Sequence, residues 1–285
     1  MIAPIERSLS GLRARTAEWR NAAETIGVVP TMGALHQGHL SLARAARAKC
    51  DRVIVTIFVN PKQFNDPDDL KNYPRTEEED ARKLESIGVD LIYVPEPDQI
   101  YPDGFATTVS VSGLTDMLCG ESRPGHFDGV ATVVSKLFIQ TSADFAFFGE
   151  KDYQQLQIVR RMAADLDLPV EVVGCPTIRE EDGLAMSSRN LLLSDRSRIK
   201  APVLAEVMED MRAQLQGGAV MSEIIEDAKA RVMAAGFNEI DYLELRDGGD
   251  LSLLDRAKPE ARLFAAAWLA GVRVIDNVAV DDAAT

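Results

Sequence analysis

Up to about residue 178, continuous apolar runs alternate with segments of helical spacing, and this alternation constrains the fold more than any other feature. The run Arg52–Val59, RVIVTIFV, is β-branched and almost continuously apolar, as is typical of a parallel strand buried on both faces. Strands that alternate with helices predict a doubly wound parallel sheet with right-handed crossovers. The runs expected to form its strands are Ile26–Val29, Arg52–Val59, Val89–Val94, Ala143–Phe148 and Val170–Ile178.

Helical spacing and capping signals lie between these runs. Thr76 with Glu79 three residues later forms a capping-box pattern, and it opens one of the predicted helices. The predicted helices begin at Leu40 or span Glu77–Ile87, His126–Ser142 and Tyr153–Leu166. A short alternating segment, Thr107–Val111, predicts one further strand.

Past Ile178 the pattern changes. Two amphipathic helices are predicted, and antiparallel strands follow them, with a hairpin through Gly271. The segments are Arg196–Leu215, Ser222–Ala235, Ile240–Leu245, Arg262–Ala270 and Val272–Val278. The sequence therefore predicts an α/β protein with a Rossmann-like nucleotide-binding domain over residues 1–178. A smaller C-terminal α+β domain, residues 179–285, is expected to close over the site.

Composition narrows the functional class. The chain has 285 residues, 46% of them hydrophobic, and a formal charge of −14, which argues against general nucleic-acid binding. A nucleotide needs only a local positive pocket, so it stays possible. Three isolated cysteines suit a reducing compartment, and the longest apolar run, Leu263–Val272, is too short to span a bilayer. We expect a cytoplasmic protein that binds neither nucleic acid nor membrane.

The stretch Gly27–Cys50 reads as a strand, a tight loop and the start of a helix, and it holds His36 and His39. Unpaired N–H groups at a helix start attract anions, and two imidazoles add donors there. Three interpretations are open: the histidines only cap the helix or lie on its surface, they bind phosphate, or they bind a metal. Metal binding is the weakest, because no third ligand lies nearby in the sequence. The context favours phosphate.

Three other polar loops favour the same kind of ligand. Asn60–Gln63 and Gly149–Gln155 follow predicted strands at the edge where open α/β sheets bind ligands, and Met186–Arg189 lies at the predicted domain junction. Each loop taken singly reads as an ordinary turn or surface segment. Together they predict a site for an anionic nucleotide and a polar substrate.

Five motifs in this order, PTMGALHQGH, FVNPKQF, YPRT, FGEKDYQQL and MSSRN, resemble the pantoate–β-alanine ligases. The match is strong from Gly27 to about Leu193. That family belongs to the HIGH-motif nucleotidyltransferases, and MSSR resembles the KMSKS signature of class I aminoacyl-tRNA synthetases. One departure is Gln37, where the family more often carries glutamate.

The resemblance implies a two-step synthesis of pantothenate, vitamin B5, for coenzyme A biosynthesis. The carboxylate of (R)-pantoate attacks the α-phosphate of ATP, and pyrophosphate leaves. The amine of β-alanine then displaces AMP from the pantoyl adenylate. The family resemblance further implies Mg²⁺ with ATP and a homodimer; metal ligands are not identifiable from the sequence.

The resemblance also implies roles for individual residues. His39, His36 and Lys151 are the expected catalytic residues, with His39 as the proton donor. Gln63 and Gln155 are expected to bind pantoate, and Gln63 and Asn60 to bind β-alanine. The expected ATP-binding residues are Met32, Gly33, Ala34, Leu35, His36, Gln37, Gly38, His39, Gly149, Glu150, Lys151, Asp152, Ile178, Met186, Ser187, Ser188 and Arg189.

Two other functions fit part of the pattern. A nucleotidyltransferase that moves AMP onto a phosphate would call for cationic residues where Gln63 and Gln155 stand. A non-enzymatic ATP-binding regulator would not need both glutamines together with His39.

Overall fold

The computed structural model describes residues 3–65 and 67–280, and a parallel sheet of six strands dominates its first part. The strands lie in the order β1-β4-β3-β2-β5-β6, and each neighbouring pair is parallel. The predicted doubly wound parallel sheet is therefore confirmed. The strands are β1 (Ile5–Glu6), β2 (Ile26–Thr31), β3 (Arg52–Ile57), β4 (Leu91–Tyr93), β5 (Phe145–Gly149) and β6 (Glu171–Cys175).

Helices connect these strands. The helices are α1 (Leu9–Asn21), α2 (Gln37–Lys49), α3 (Pro67–Asn72), α4 (Glu77–Glu85), α5 (Pro97–Ile100), α6 (Cys119–Ser122), α7 (His126–Thr141) and α8 (Tyr153–Asp165). Helix α2 packs on β2, β3 and β5, because Leu40, Ala43 and Ala46 form its apolar stripe. Helix α7 packs on β2 and on α1.

The order of the strands places a switch point beside β2. From β2 the chain continues to β3 and β4 on one side, whereas β5 and β6 lie on the other side. Loops that leave the carboxyl ends of β2 and β5 therefore diverge and open a crevice between them, as in other doubly wound sheets. The loop with His36 follows β2, and β5 ends at Gly149, directly before Glu150.

The chain divides into two compact units, and the second contains residues 151–153 together with those from Thr177 onward. Its antiparallel sheet has the order β10-β9-β7-β8, with a core of buried leucine, valine, alanine and methionine side chains. The elements are α9 (Asp195–Arg198), α10 (Val203–Gln216), α11 (Met221–Ala234), β7 (Glu239–Asp247), β8 (Leu253–Leu254), β9 (Ala261–Leu269) and β10 (Val272–Ala279). The hairpin predicted through Gly271 is formed by β9 and β10.

Three local predictions are wrong. Thr107–Val111 is in no strand; the N–H of Val109 is bound by the Thr132 hydroxyl at 2.9 Å instead of by a neighbouring strand. The Thr76–Glu79 capping box is absent, since the Thr76 hydroxyl donates to Asp80 at 3.0 Å. The helix predicted over Arg196–Leu215 is interrupted before Val203, because Pro202 has no N–H to continue a helical ladder.

Among the described residues, no helix has the length and apolarity needed to cross a membrane. None of Cys50, Cys119 and Cys175, all of which are described, forms a disulfide. The thiol of Cys50 is buried against the sheet, and this burial raises its pKa to about 11.

Candidate active site

The two histidines of the first motif cap helix α2 reciprocally. His36 is the N-cap residue, and its Nδ1 accepts the N–H of Gly38 at 3.1 Å. The N–H of His36 points to Nδ1 of His39 at 3.4 Å, and the two ring centroids are 4.1 Å apart. A side chain at Gly38 would lie within 2.8 Å of the His36 ring. A side chain at this position would therefore displace the His36 ring from its capping position.

This capping fixes which nitrogen of each ring is a donor. Because both Nδ1 atoms accept backbone hydrogens, each neutral imidazole carries its own hydrogen on Nε2. The N-terminus of α2 thus combines two Nε2–H donors with the positive end of a helix dipole. Capping and phosphate binding are compatible, since they use different nitrogens. Gln37, between the histidines, is exposed and faces Arg44 at 3.4 Å.

The rest of this loop is held by the protein itself. The side chain of Leu35 is in the core, only 2% exposed. The N–H groups of Ala34 and Leu35, expected to bind ATP, donate to the buried carboxylate of Asp80 at 2.9 and 2.8 Å. Those two amides are therefore occupied within the chain.

Asn60 is buried, and both ends of its amide have partners in the chain. Its Oδ1 accepts the Tyr101 hydroxyl at 2.8 Å, and its Nδ2 donates to the Gly129 carbonyl at 3.0 Å and to Oε1 of Gln63 at 3.1 Å. Burial raises the pKa of Tyr101, which keeps this hydroxyl protonated as a donor. The geometry favours Asn60 as a positioning residue for Gln63 over a direct contact with β-alanine.

Gln63 is the half-buried residue that these contacts orient. Its Nε2 lies 3.0 Å from the sulfur of Met32, so the first and second motifs meet here. Its backbone carbonyl accepts from Arg123 at 3.1 Å and from Nδ1 of His126 at 2.7 Å. Since the Arg123 guanidinium can only donate to Nε2 of His126, that ring carries its hydrogen on Nδ1.

Helix α7 approaches this turn more closely than any side chain would allow. A Cβ added to Gly129 would lie 2.3 Å from the carbonyl oxygen of Lys62. Sequence reasoning missed Gly129, Tyr101, Arg123 and His126, because they act through contacts distant in the chain. The only available signal was that His126 is one of three histidines.

Adjacent glutamines at the start of α8 have different surroundings. Gln154 is buried and donates to the carbonyls of Leu114 at 2.9 Å and Met117 at 2.7 Å, while it accepts from the N–H of Cys119. Gln155 is half-buried, and within the described ranges its amide makes no hydrogen bond to the protein. Gln155 is therefore the one of the pair available to a ligand. It follows Gly149, the last residue of β5, and Glu150, the first residue of the next 3₁₀ turn.

In the second unit, strand β10 holds two predicted nucleotide-binding segments. Asn277 donates to the backbone carbonyl of Lys151 at 2.8 Å, and Asp276 binds Arg179 with a bidentate pair at 2.6 and 3.0 Å. Burial would lower the pKa of Arg179, but the hydrogen bonds and charge of Asp276 raise it above its ordinary value. The ammonium of Lys151 is 3.8 Å from exposed Asp152 and is itself largely buried.

The MSSR segment is anchored by its neighbours in the same unit. The N–H of Met186 binds the carbonyl of Ile178 at 2.9 Å, which joins two expected nucleotide contacts. Ser187 caps the 3₁₀ turn that contains Ser188 and Arg189 by accepting the N–H of Arg189 at 3.2 Å. Asn190 donates to Glu180 at 2.8 Å and to the carbonyl of Ala185 at 3.1 Å, so the turn has a fixed base.

Among the side chains that the structure describes, no cluster of three or more histidine, cysteine, aspartate or glutamate residues is suited to a metal. The sequence assigned no metal ligands.

Comparison with known proteins identifies the family. The model of the pantoate-beta-alanine ligase family matches residues 5–279. Pantothenate synthetase from Roseobacter denitrificans is 66% identical over 280 residues, covering 98% of this chain and 99% of the relative. The enzyme from Ruegeria pomeroyi is 63% identical, with 98% of each chain covered.

Solved structures agree. Pantothenate synthetase from Thermus thermophilus superimposes with a TM-score of 0.92 at 44% identity, covering 98% of this chain and 99% of its own. Pantoate-beta-alanine ligase from Francisella tularensis, in complex with beta-gamma ATP and beta-alanine, gives a TM-score of 0.82 at 33% identity, covering 99% of this chain and all of its own. With one family model spanning nearly the whole chain, and with relatives above 60% identity, the chain belongs to the pantoate–β-alanine ligase family and is a ligase.

Proposed function

We propose that this chain ligates (R)-pantoate and β-alanine to pantothenate at the expense of ATP, through a pantoyl-adenylate intermediate. The observation that carries the proposal is the pair of imidazoles at the start of α2, the helix that follows β2 beside the sheet's switch point. The names of the relatives, and the Francisella complex with ATP and β-alanine, support the same substrates.

In the first step, a carboxylate oxygen of pantoate attacks the α-phosphorus of ATP. A P–O bond forms, the bond to pyrophosphate breaks, and negative charge grows on the leaving oxygen. His36 and His39 stabilise that charge with hydrogen bonds from Nε2–H, and His39, when protonated, is the proposed proton donor. Lys151 supplies a point charge, and Arg189 a planar pair of donors, for the phosphates.

Gln63 and Gln155 are the proposed contacts for pantoate. A neutral amide donates to a carboxylate and accepts from a hydroxyl without neutralising the nucleophile. Asn60 orients Gln63 by donating a hydrogen bond from its Nδ2 to Oε1 of Gln63 at 3.1 Å. The role of Asn60 toward β-alanine is then indirect, through Gln63.

In the second step, the amine of β-alanine attacks the acyl carbon of the adenylate. A C–N bond forms, and the C–O bond to AMP breaks. Gln63 is the proposed contact for β-alanine as well, so one side chain serves both acyl substrates. Positioning supplies most of the catalysis, because both reacting groups are bound next to each other.

The other expected contacts complete the nucleotide site in this proposal. Residues from Met32 to His39, Gly149 to Asp152, Ile178 and Met186 to Arg189 bind ATP, with Ala34 and Leu35 acting through the shape of the loop. Mg²⁺ accompanies ATP and shields its phosphate charge; this ion is commonly held by substrate phosphates and waters with few protein ligands. The proposed working form is a cytoplasmic homodimer, which sedimentation at micromolar concentration tests.

Pyrophosphate exchange into ATP tests the function directly. We expect exchange that requires pantoate and Mg²⁺, is abolished by EDTA, and is converted to net pantothenate formation by β-alanine. Exchange without pantoate would indicate a different nucleotidyltransferase. ATP binding with no exchange under any condition would indicate a regulator.

A further inference from the structure

Helix α4 supplies a buried carboxylate to the histidine loop. Asp80 is 0% exposed, and its two oxygens accept the N–H groups of Ala34 at 2.9 Å and Leu35 at 2.8 Å. The Thr76 hydroxyl donates to the same carboxylate at 3.0 Å. A buried carboxylate is costly unless it is fully hydrogen-bonded, and most of its bonds here go to this loop.

About one turn after Asp80, the same helix also binds the carbonyl side of Leu35, through Lys83. The Lys83 ammonium donates to the carbonyl of Leu35 at 2.7 Å, and its charge is paired with Glu79 at 2.8 Å. Asp80 and Lys83 therefore hold the peptide groups before and after Leu35. Asp80 and Lys83 both bind the backbone of this loop, and neither binds a side chain that is proposed to contact substrate.

The loop needs such support. Ala34 has φ +50°, the left-handed region that costs a residue with a Cβ free energy. The next residues are Leu35 and His36, and His36 begins the reciprocal cap. A relaxed Ala34 would turn the chain away, and both imidazoles would lose the geometry that places their hydrogens on Nε2.

We propose that Asp80 and Lys83 are positioning residues for adenylate formation. Through Leu35, they fix the path of the loop and hence the tautomer and direction of His36 and His39. This inference depends on the proposed function only for the identity of the ligand that the two imidazoles bind. The clamp itself, formed by Asp80 and Lys83 on Leu35, is a property of the protein without substrate.

Histidine NMR tests the clamp without any activity. The chain contains three histidines, so ¹⁵N-histidine labelling of the whole protein gives three imidazoles. In the unsubstituted protein, two should be Nε2–H tautomers and one, His126, should be Nδ1–H. Asp80→Asn places an amide N–H against a backbone N–H, so the two Nε2–H signals should shift or average while His126 stays unchanged. The control Glu78→Gln changes the same charge on an exposed position of the same helix and should change none of them.

Kinetics test the consequence. Pantoate-dependent adenylate formation should slow about 10–100-fold in Asp80→Asn, in kcat rather than in the KM for ATP, because positioning rather than ground-state binding is lost. Lys83→Met should also slow adenylate formation and change the two Nε2–H signals. Lys83→Arg keeps the charge and the donor, so it should keep both the rate and the signals of the unsubstituted protein. If Asp80→Asn does not fold, Lys83→Met decides, since its side chain is one-third exposed.

Unchanged imidazole signals in the folded Asp80→Asn or Lys83→Met protein would overturn the clamp. So would a general loss of stability with all three histidines affected equally. If the unsubstituted protein makes no pantothenate, the proposed function fails, whereas the NMR comparison still decides the clamp.

Discussion

Asn277 donates a hydrogen bond from its side-chain Nδ2 to the backbone carbonyl of Lys151 over 2.8 Å. Its own Oδ1 accepts from Arg262, so the amide cannot rotate without losing a partner. Strand β10 thereby fixes the backbone of the lysine whose ammonium is the proposed contact for ATP phosphates.

The substitution Asn277→Asp separates these two contacts. A carboxylate keeps the bond from Arg262 but turns an acceptor toward the Lys151 carbonyl, so Lys151 should be displaced. We expect adenylate formation to slow about tenfold, equivalent to about 1.4 kcal/mol. The control Asn238→Asp makes the same change at an exposed acceptor and should have normal rates. A rate for Asn277→Asp equal to that of the control would contradict this role.

His36→Asn tests whether the histidines do more than cap. Asparagine is a good N-cap residue, so the helix should keep its stability, whereas the Nε2–H donor is lost. Single-turnover adenylate formation should fall, and His39→Ala or Lys151→Ala should lower it by about 10²–10⁴-fold. Normal single-turnover rates in His36→Asn would leave capping as the only role of that residue.

Gln154 and Gln155 should respond in opposite ways to alanine. Gln154→Ala strands two carbonyls and one N–H, so the free energy of unfolding should drop by about 2–4 kcal/mol. Gln155→Ala should be as stable as the unsubstituted protein but should need more pantoate for half-maximal adenylate formation. Denaturant unfolding and pantoate titration make the comparison. A stable Gln154→Ala, or an unaltered pantoate dependence in Gln155→Ala, would reverse the assignment.

Gln63→Ala should impair both half-reactions, each by roughly 1–3 kcal/mol, since the same amide is proposed to contact both acyl substrates. Rapid-quench measurement of adenylate formation, and of β-alanine attack on preformed adenylate, separates the steps. Gln214→Ala, at an exposed position, is the matched control. If only the first step slows, β-alanine is bound by other residues.

Stability at low pH should depend on Asp247. Hydrogen bonds from Lys258 and from the N–H groups of Asp250 and Gly249 lower the pKa of its carboxyl from 3.8 to about 2 in the folded protein. The ionised form therefore stabilises the fold above about pH 4, and this contribution is lost as the pH falls through about 2. Asp247→Asn should lower the free energy of unfolding at pH 7 by about 1 kcal/mol, because solvent screens the half-exposed Lys258.

The pH profile supplies the check. The difference between Asp247→Asn and the unsubstituted protein should shrink between about pH 4 and pH 2. Glu226→Gln, at a side chain that is 82% exposed, should show no such trend. A difference that is constant across this range would rule out the ionic origin.

The sequence predicts the sheet well because burial on both faces leaves a local signature. Arg52–Val59 could hardly be anything but a central strand, and it contains β3. Thr107–Val111 alternates and is also rich in β-branched residues, but pairing depends on a neighbouring strand that no local pattern specifies. Strand β1 and helix α1 are not predicted from the sequence, because the strand has two residues and the helix is only weakly amphipathic.

Within the candidate site, motif residues could be named from the sequence, but their partners could not. The local spacing of His36 and His39 indicated a helix start. Asp80, Gly129 and Asn277 hold the motifs from distant parts of the chain, and only the folded topology brings them there. Asn60 was expected to bind a substrate because its type and position fit. Its burial, which favours a role in orienting Gln63 over direct contact with substrate, depends on the tertiary structure and cannot be predicted from the local sequence.

The register of β2 against β5 has a consequence for how the enzyme is made. Gly27 pairs with Phe145, and Val28 with Ala146, so the two strands that flank the switch point are synthesised far apart in time. Parallel pairing of such distant segments is slow, because a long loop must close before the contact forms. A chain still emerging from the ribosome can carry every residue of the HQGH motif and yet have no crevice in which to use it. The protein can therefore become active only after translation has passed β5. A product truncated before β5 should be inactive although it contains the HQGH motif.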